Sequence, residues 1–230
     1  MCNPIQSAVP HSRRPLLLYC ITDRSQFPGT PEQQRQRLLE KVRECAAAGV
    51  DYIQLREKDL TTRELERLAA KAMAAIPGSS RTKLLISSRL DVVLASGAHG
   101  IHLPANWLPA SEARAILMRA GQSRPIIGAS THSAAEVDAA EAHGADFVVF
   151  GPVFEKNGAA NRDGLEHLAA VSRRSMPVLA LGGINLQNAE QCLAAGASGI
   201  AAIRMFQQEN VAAVVNALRR LQISQTSASG

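Results

Sequence analysis

Apolar residues occur in eight short runs along the chain, and amphipathic stretches separate them. Four of these runs follow an Ala-rich turn that contains a glycine. The four glycines, which recur at intervals of 48, 47 and 52 residues, are Gly49, Gly97, Gly144 and Gly196. Glycine readily adopts the left-handed conformation that ends many helices, so each turn predicts a helix followed at once by a buried strand. The remaining apolar runs lie at 16–22, 83–87, 124–130 and 176–183.

The stretches between these runs have the polar and apolar pattern of helices. They cover 31–48, 61–76, 89–96, 110–120, 133–143, 164–174, 187–195 and 208–221. The first opens on Thr30-Pro31, which fits an N-cap followed by proline in the first turn. Strands that are apolar on both faces and alternate with helices indicate a parallel sheet covered by helices. Eight such units predict a single (β/α)8 TIM barrel, and the fourfold repeat favours this closed barrel over an open doubly wound sheet.

The ends of the chain differ from its repeating part. We expect a flexible lead-in over 1–15, the barrel over 16–222 and a flexible tail over 223–230. The first fifteen residues lack the apolar stretch of a secretory signal, and the cysteines at 2, 20, 45 and 192 form no C-x-x-C pair. These features favour a cytoplasmic protein.

Composition narrows the classes of function. No apolar run approaches the roughly 18–20 residues of a membrane span, which argues against a transmembrane protein. Aromatic residues make up 3% of the chain, too few to predict base stacking on single-stranded nucleic acid. The net charge of +5 fits an ordinary solvated surface, and attraction of small anions is the less favoured interpretation.

Polar residues at the carboxyl ends of the predicted strands are the candidates for a site, because TIM-barrel active sites lie there. The second strand ends in Gln54, Arg56 and Lys58. The period of two along a strand places Gln54 and Arg56 on one face, towards the barrel interior. An amide and two cations predict an anion-binding site. The alternative is that Arg56 pairs with Glu57 on a helix-facing surface.

The fifth predicted strand ends in Ser130-Thr131-His132. A histidine at this place could transfer a proton near neutral pH, so His132 is the candidate catalytic residue. Ser130 and Thr131 are candidates for binding substrate. The alternative, equally favoured, is that the hydroxyls cap the next helix and that His132 is simply exposed.

The last three strand ends predict a phosphate site. In many barrels phosphate lies between the loops after strands 7 and 8, where glycines expose backbone N–H groups. Gly182 and Gly183 occupy that place, and Arg204 follows strand 8. Gly151, at the end of strand 6, is a further substrate-binding candidate. The loop over 155–163 is either a mobile lid or a plain solvated turn.

Two histidines near strand 4 look like a metal site. His99 and His102 lie three residues apart on a strand, so their side chains point to opposite faces and do not predict a shared metal. His102 falls on the inward face, where we favour a place in the core over a place in the site.

Several motifs resemble those of the thiamine phosphate synthase/TenI superfamily, over approximately residues 16–220. They are Y-C-I-T-D at 19–23, Q-L-R-E-K at 54–58, G-I-H-L at 100–103, G-A-S-T-H-S at 128–133, G-A-D-F-V-V-F-G-P-V-F at 144–154, L-G-G-I-N at 181–185 and G-A-S-G-I-A at 196–201. The resemblance implies a TIM barrel that binds a thiazole phosphate in thiamine biosynthesis. It also implies a small-molecule ligand, with a homo-oligomer as a further possibility.

The superfamily contains two chemistries. Its synthases join a pyrimidine pyrophosphate to thiazole phosphate, a reaction that needs Mg²⁺ held by carboxylates. Those synthases carry Asn-Asp after strand 3 and Asp after strand 4, where this chain has Ser87-Ser88 and approximately Trp107. The resemblance therefore favours a TenI-like thiazole tautomerase, an isomerase without metal or other cofactor, in which His132 moves the proton.

Two other functions remain as alternatives. One is a thiamine phosphate synthase with a rearranged Mg²⁺ site, which could use Asp91 or Asp23. The other is a regulator that binds thiazole phosphate without catalysis.

Overall fold

The structure is a computed structural model that describes residues 15–155, 158–159 and 163–228. Eight strands alternate with the helices. The strands are β1 Leu17–Ile21, β2 Tyr52–Leu55, β3 Lys83–Ser87, β4 Gly100–Leu103, β5 Ile126–Thr131, β6 Phe147–Phe150, β7 Val178–Ala180 and β8 Gly199–Ala202. The helices are α1 Pro31–Ala48, α2 Thr62–Ala75, α3 Leu90–Ser96, α4 Ala110–Arg119, α5 Ala134–Ala142, α6 Gly164–Val171, α7 Ala189–Ala194, α8 Arg204–Gln208 and α9 Val211–Ala228.

All eight strands are parallel and close into one barrel in the order in which they occur. Closure is made by β1 and β8, which pair from Leu17 with Gly199 to Cys20 with Ala202. An open doubly wound sheet has no such pair between its first and last strands. The predicted (β/α)8 TIM barrel is therefore confirmed.

The alternation of side chains along each strand builds two separate apolar layers. The inward residues form the barrel interior, which includes Tyr19, Leu85, Phe147 and Leu179. The outward residues pack against the helices and form the larger core. Both faces of each strand are therefore buried, which explains why the strands are continuous apolar runs.

The helix starts follow the sequence signals, and the C-terminal part departs from them. Thr30 and Thr61 each cap a helix through a reciprocal capping box. A short helix, α8, directly follows β8, and a 3₁₀ turn at Arg24–Gln26 follows β1; neither was predicted. The last helix continues through Ala228, so the predicted tail is helical over most of its length. The lead-in over 1–14 lies outside the described residues.

Within the described ranges, no helix combines the length and apolar character needed to cross a bilayer.

Candidate active site at the barrel mouth

The end of β2 brings an amide and a cation into the barrel. Ile53 and Leu55 pack outward against the helices, so Gln54 and Arg56 lie on the inward face, as the period of two predicts. Gln54 is buried, Arg56 is half-buried and Lys58 is exposed above them. The neutral amide therefore lies deepest, and the two positively charged side chains lie nearer the rim.

Glu57 is paired with Arg24 and not with Arg56. Its carboxylate accepts hydrogen bonds from the Thr22 hydroxyl at 2.6 Å and from Arg24 Nη1 at 3.0 Å. Burial raises the pKa of Glu57, while these hydrogen bonds oppose the increase. The alternative in which Glu57 neutralises Arg56 is therefore wrong, because the carboxylate is turned towards β1.

Asp23, at the end of β1, is fixed by its neighbours. Its carboxylate accepts hydrogen bonds from the Ser25 hydroxyl and from Gln26 Nε2 at 3.0 Å. Partial burial raises the pKa of Asp23, but these bonds and the charge of Arg56 outweigh it, so the pKa lies below its ordinary value. The rim thus carries one carboxylate close to its main cation.

The three candidates at the end of β5 separate in the structure. Ser130 is half-buried on the inward face, whereas Thr131 is buried and its hydroxyl donates to the carbonyl of Val149. Thr131 alternates with Ser130 along the strand, so the structure does not bring its side chain into the barrel interior with Arg56. His132 is exposed, with Nδ1 2.5 Å from the carbonyl oxygen of Gly151. Ser133, not Ser130 or Thr131, accepts the hydrogen bond that caps α5.

A buried network that sequence reasoning assigned to the core reaches this site. His102 is 2% exposed on the inward face of β4. Its Nδ1 lies 3.1 Å from the Tyr19 hydroxyl and its Nε2 lies 2.9 Å from Ser130 Oγ. Burial lowers the pKa of His102 to about 3, and the charge of Arg56 adds to this effect. The inward register of His102 with Gly100 was the available signal, but the sequence did not show which partners the ring would meet.

The loops after β6 and β7 fit closely together. A cis peptide bond links Gly151 and Pro152. Gly182 and Gly183 both have positive φ, and a Cβ on Gly183 would lie 1.9 Å from the carbonyl oxygen of Glu155. Asn188 Nδ2 donates to the carbonyl of Gly183 at 3.1 Å and holds the turn from the other side. Among the described residues, the N–H groups of Gly182 and Gly183 have no acceptor.

A cleft of about 350 Å³ lies between the loops after β7 and β8. Gly183, Asn185, Arg204 and Met205 are among its lining residues. The structure therefore brings Arg204 to the same cleft as the second glycine. The predicted lid over 155–163 lies partly outside the described residues, which lack 156–157 and 160–162.

The ends of β3 and β4 do not fit a magnesium site. Ser87 and Ser88 present hydroxyl oxygens 3.5 Å apart, and Trp107 is exposed on the loop after β4. Mg²⁺ is bound in proteins mainly through carboxylates, and none of these side chains carries one. No three His, Cys, Asp or Glu side chains of the described ranges come together as a metal cluster.

The two acids considered for a rearranged magnesium site have other partners. Asp91 is paired with Arg89, whose Nε lies 2.9 Å from Oδ1. Asp23 is held by Ser25 and Gln26.

Fold and site together define a (β/α)8 barrel whose mouth carries two cations after β2 and glycine N–H groups after β7. The chain belongs to the family described as thiamine monophosphate synthase, whose model matches residues 18–206.

Named relatives agree with this family. A thiamine-phosphate synthase of Methanoculleus marisnigri is 38% identical over 207 residues, which are 88% of this chain and 93% of that protein. The thiamine-phosphate synthase of Halalkalibacterium halodurans is 39% identical over 195 residues, or 83% of this chain and 87% of that protein. A solved thiamine phosphate pyrophosphorylase from Pyrococcus furiosus superposes with a TM-score of 0.74 at 33% identity and covers 91% of this chain and 96% of its own.

These names overturn the expected tautomerase assignment, and with it the isomerase class. Relatives over most of the chain are named as synthases, which are transferases. The expectation rested mainly on Ser87, Ser88 and Trp107 at the metal-ligand positions, together with the match of His132 to the catalytic histidine of the tautomerases. The lack of acidic residues at these positions excludes one arrangement of metal ligands. It does not determine which reaction the other residues of the mouth perform.

Proposed function

We propose that this protein is a thiamine-phosphate synthase, a transferase that joins hydroxymethylpyrimidine diphosphate to thiazole phosphate. The observation that carries the proposal is the similarity to named synthases over more than four fifths of the chain. The mouth supports it, because both substrates are phosphorylated and the mouth presents cations and backbone N–H groups.

The proposal places the two anionic groups at different parts of the mouth. The phosphate of the thiazole binds at Gly182, Gly183 and Arg204. The N–H groups of the two glycines have no acceptor among the described residues, and Gly183 and Arg204 line the same cleft. The diphosphate binds at Arg56 and Lys58, with Gln54 and Ser130 below them. Departing diphosphate carries several negative charges, and fixed cations stabilise that charge as it develops.

Other predicted residues have a smaller place in this proposal. Gly151 shapes the β6 end against Leu181, since a Cβ there would lie 2.2 Å from the Leu181 carbonyl oxygen. Thr131 has no substrate contact here because of its outward position. The catalytic role of His132 stays a prediction, and no step is assigned to Mg²⁺ because the residues at β3 and β4 do not fit it.

The test is to give the purified protein both substrates, with and without Mg²⁺, and to measure thiamine phosphate and released diphosphate. We expect one molecule of diphosphate to be released for each molecule of thiamine phosphate formed. Arg56→Gln should lower kcat/KM by about 10-fold to 100-fold, as expected when a charged hydrogen bond is lost. The matched control is Arg81→Gln, because Arg81 is exposed just before β3, at the opposite end of the barrel.

Binding of thiazole phosphate without any product under either condition would contradict the proposal. It would instead support the non-catalytic regulator.

A further inference from the structure

Tyr19, His102 and Ser130 form a chain of hydrogen bonds from the barrel interior to the mouth. Tyr19 is completely buried on β1, His102 is buried on β4, and Ser130 is half-buried near the end of β5. The two distances along this chain are 3.1 Å and 2.9 Å. Three strands that are distant in sequence thus meet at one imidazole ring.

Packing fixes the position of the ring. Phe147 lies edge-on to Tyr19, with ring centroids 5.4 Å apart, and also packs against His102. Gly128 leaves room for this arrangement, because a Cβ there would lie 2.9 Å from His102 Nδ1 and 2.6 Å from Phe147 Cζ. The ring therefore cannot exchange its partners easily.

The two hydrogen bonds allow two arrangements of donors and acceptors, and only one of them gives every buried donor an acceptor. A neutral imidazole has one N–H group and one acceptor nitrogen. If Nδ1 carried the proton, it would donate to the Tyr19 oxygen, and the Tyr19 O–H would need another acceptor. The described residues supply none for this fully buried hydroxyl, and an unpaired buried donor is unfavourable.

In the other direction, the Tyr19 hydroxyl donates to Nδ1 and Nε2–H donates to Ser130 Oγ. The hydroxyl proton of Ser130 is then donated to neither Tyr19 nor His102, and Ser130 Oγ has no other partner among the described residues. It is available for an acceptor in the mouth, and the charge of Arg56 acts on the same His102 ring. A hydroxyl donor in the field of a cation suits a negatively charged oxygen.

We propose that Tyr19 and His102 are positioning residues that fix Ser130 as a hydrogen-bond donor to an anionic oxygen of the ligand. We call the hydrogen-bonded series Tyr19–His102–Ser130 the relay. The direction of its hydrogen bonds is a property of the free protein, while the ligand class rests on the proposed function. With synthase substrates, the acceptor is a diphosphate oxygen.

The first experiment determines the tautomer by ¹⁵N NMR of the histidine side chains in the free protein. We expect His102 to be protonated on Nε2 and not on Nδ1, without titration between pH 8 and pH 5. The His102→Gln variant identifies its signals among the six histidines. In Tyr19→Phe the Nε2–H preference should be lost in favour of a mixture of tautomers. A wild-type Nδ1–H tautomer, or an unchanged tautomer in Tyr19→Phe, would overturn the relay.

The second experiment measures binding of inorganic diphosphate by calorimetry. Ser130→Ala should weaken binding about 10-fold to 100-fold, the factor that corresponds to one hydrogen bond to a charged group. Tyr19→Phe should weaken binding by a smaller factor, because part of its His102 rings keep the Nε2–H tautomer. The double variant should bind no more weakly than Ser130→Ala, because both changes remove the same bond. Tyr52→Phe is the matched control: it loses the same hydroxyl in the same aromatic cluster, but Tyr52 stacks on Phe147 and is outside the relay.

The outcomes separate the relay from the proposed function. Normal binding by Tyr19→Phe, or additive losses in the double variant, would contradict the positioning role. If the wild-type protein has the expected tautomer but binds no diphosphate, the ligand class and the proposed function fail together, while the relay itself remains.

Discussion

At the scale of single residues, Thr22 connects the first two strands at the rim. Its hydroxyl donates to Glu57 and also accepts the backbone N–H of Arg56 at 3.0 Å. Arg24 completes the arrangement by pairing with both Glu57 and Asp59. The backbone that carries Arg56 into the mouth is therefore held by a buried hydroxyl and a buried ion pair.

Replacing this hydroxyl tests its contribution. Thr22→Val keeps the shape of the side chain but leaves one oxygen of a buried carboxylate and one N–H group without their partner. We expect a loss of about 1–3 kcal/mol in the free energy of unfolding, measured by urea denaturation. Thr22→Ser retains the hydroxyl and should recover most of the loss. Equal destabilisation by both variants would show that packing of the methyl group matters more than the hydrogen bonds.

The rim also shows the limit of sequence reasoning about single residues. The inward register of Gln54 and Arg56 follows from the period of two, which is a local property. The partners of Glu57 and His102 belong to other parts of the chain, 28 or more residues away. Thr131 was grouped with its neighbours in sequence, although alternation along β5 turns its side chain away from Ser130.

At the scale of elements, the loops after β6 and β7 depend on each other. The backbone N–H groups of Val153 and Phe154 donate to the carbonyls of Leu181 and Gly182. Gly183 continues this contact with its Cα close to Glu155. A side chain at residue 183 would push the two loops apart and change the shape of the proposed phosphate cleft.

Alanine substitution separates this close contact from backbone strain. Gly183→Ala introduces both a positive-φ alanine and a clash with Glu155, whereas Gly97→Ala, at a similar φ of +67° against +62°, meets nothing within 4 Å. We expect Gly97→Ala to cost about 1–2 kcal/mol from strain alone. Gly183→Ala should cost about 1–3 kcal/mol more, as for other overpacked sites, and should weaken binding of inorganic phosphate. Equal unfolding energies for the two variants would contradict the clash.

Strands and helices could be predicted where the sequence pattern behind them was long or was repeated along the chain. The eight strands follow from runs that are apolar on both faces, and the long helices follow from their periodicity and from N-caps such as Thr30. The short helix α8 has five residues, too few for a helical period to show, and Glu209 is extended between α8 and α9. Its place after β8 is nevertheless what brings Arg204 to the cleft.

At the scale of the whole molecule, buried ionisable groups make stability depend on pH. His102 has a folded pKa of about 3, against an ordinary value of 6.5 for the unfolded chain. Below pH 6.5 the unfolded state therefore binds a proton that the folded state does not, and stability falls as the pH decreases. Asp91 and Asp138 have lowered pKa values because of their arginine partners, and they lose their contribution only below about pH 4.

The pH range from 6.5 to 4 should therefore report mainly on buried histidine. We expect His102 to account for about 3 kcal/mol of lost unfolding free energy over this range, at 1.36 kcal/mol for each pH unit. His99, whose pKa burial also lowers, adds a loss of the same sign, while the raised pKa of Glu57 acts in the opposite direction. The measurement is urea denaturation of the wild type and of His102→Gln at several pH values. The variant loses packing at every pH, so the informative quantity is the slope, which should be flatter than in the wild type. Parallel curves would mean that His102 takes up its proton in the folded barrel, and the neutral ring that the relay needs would then be absent below pH 6.5.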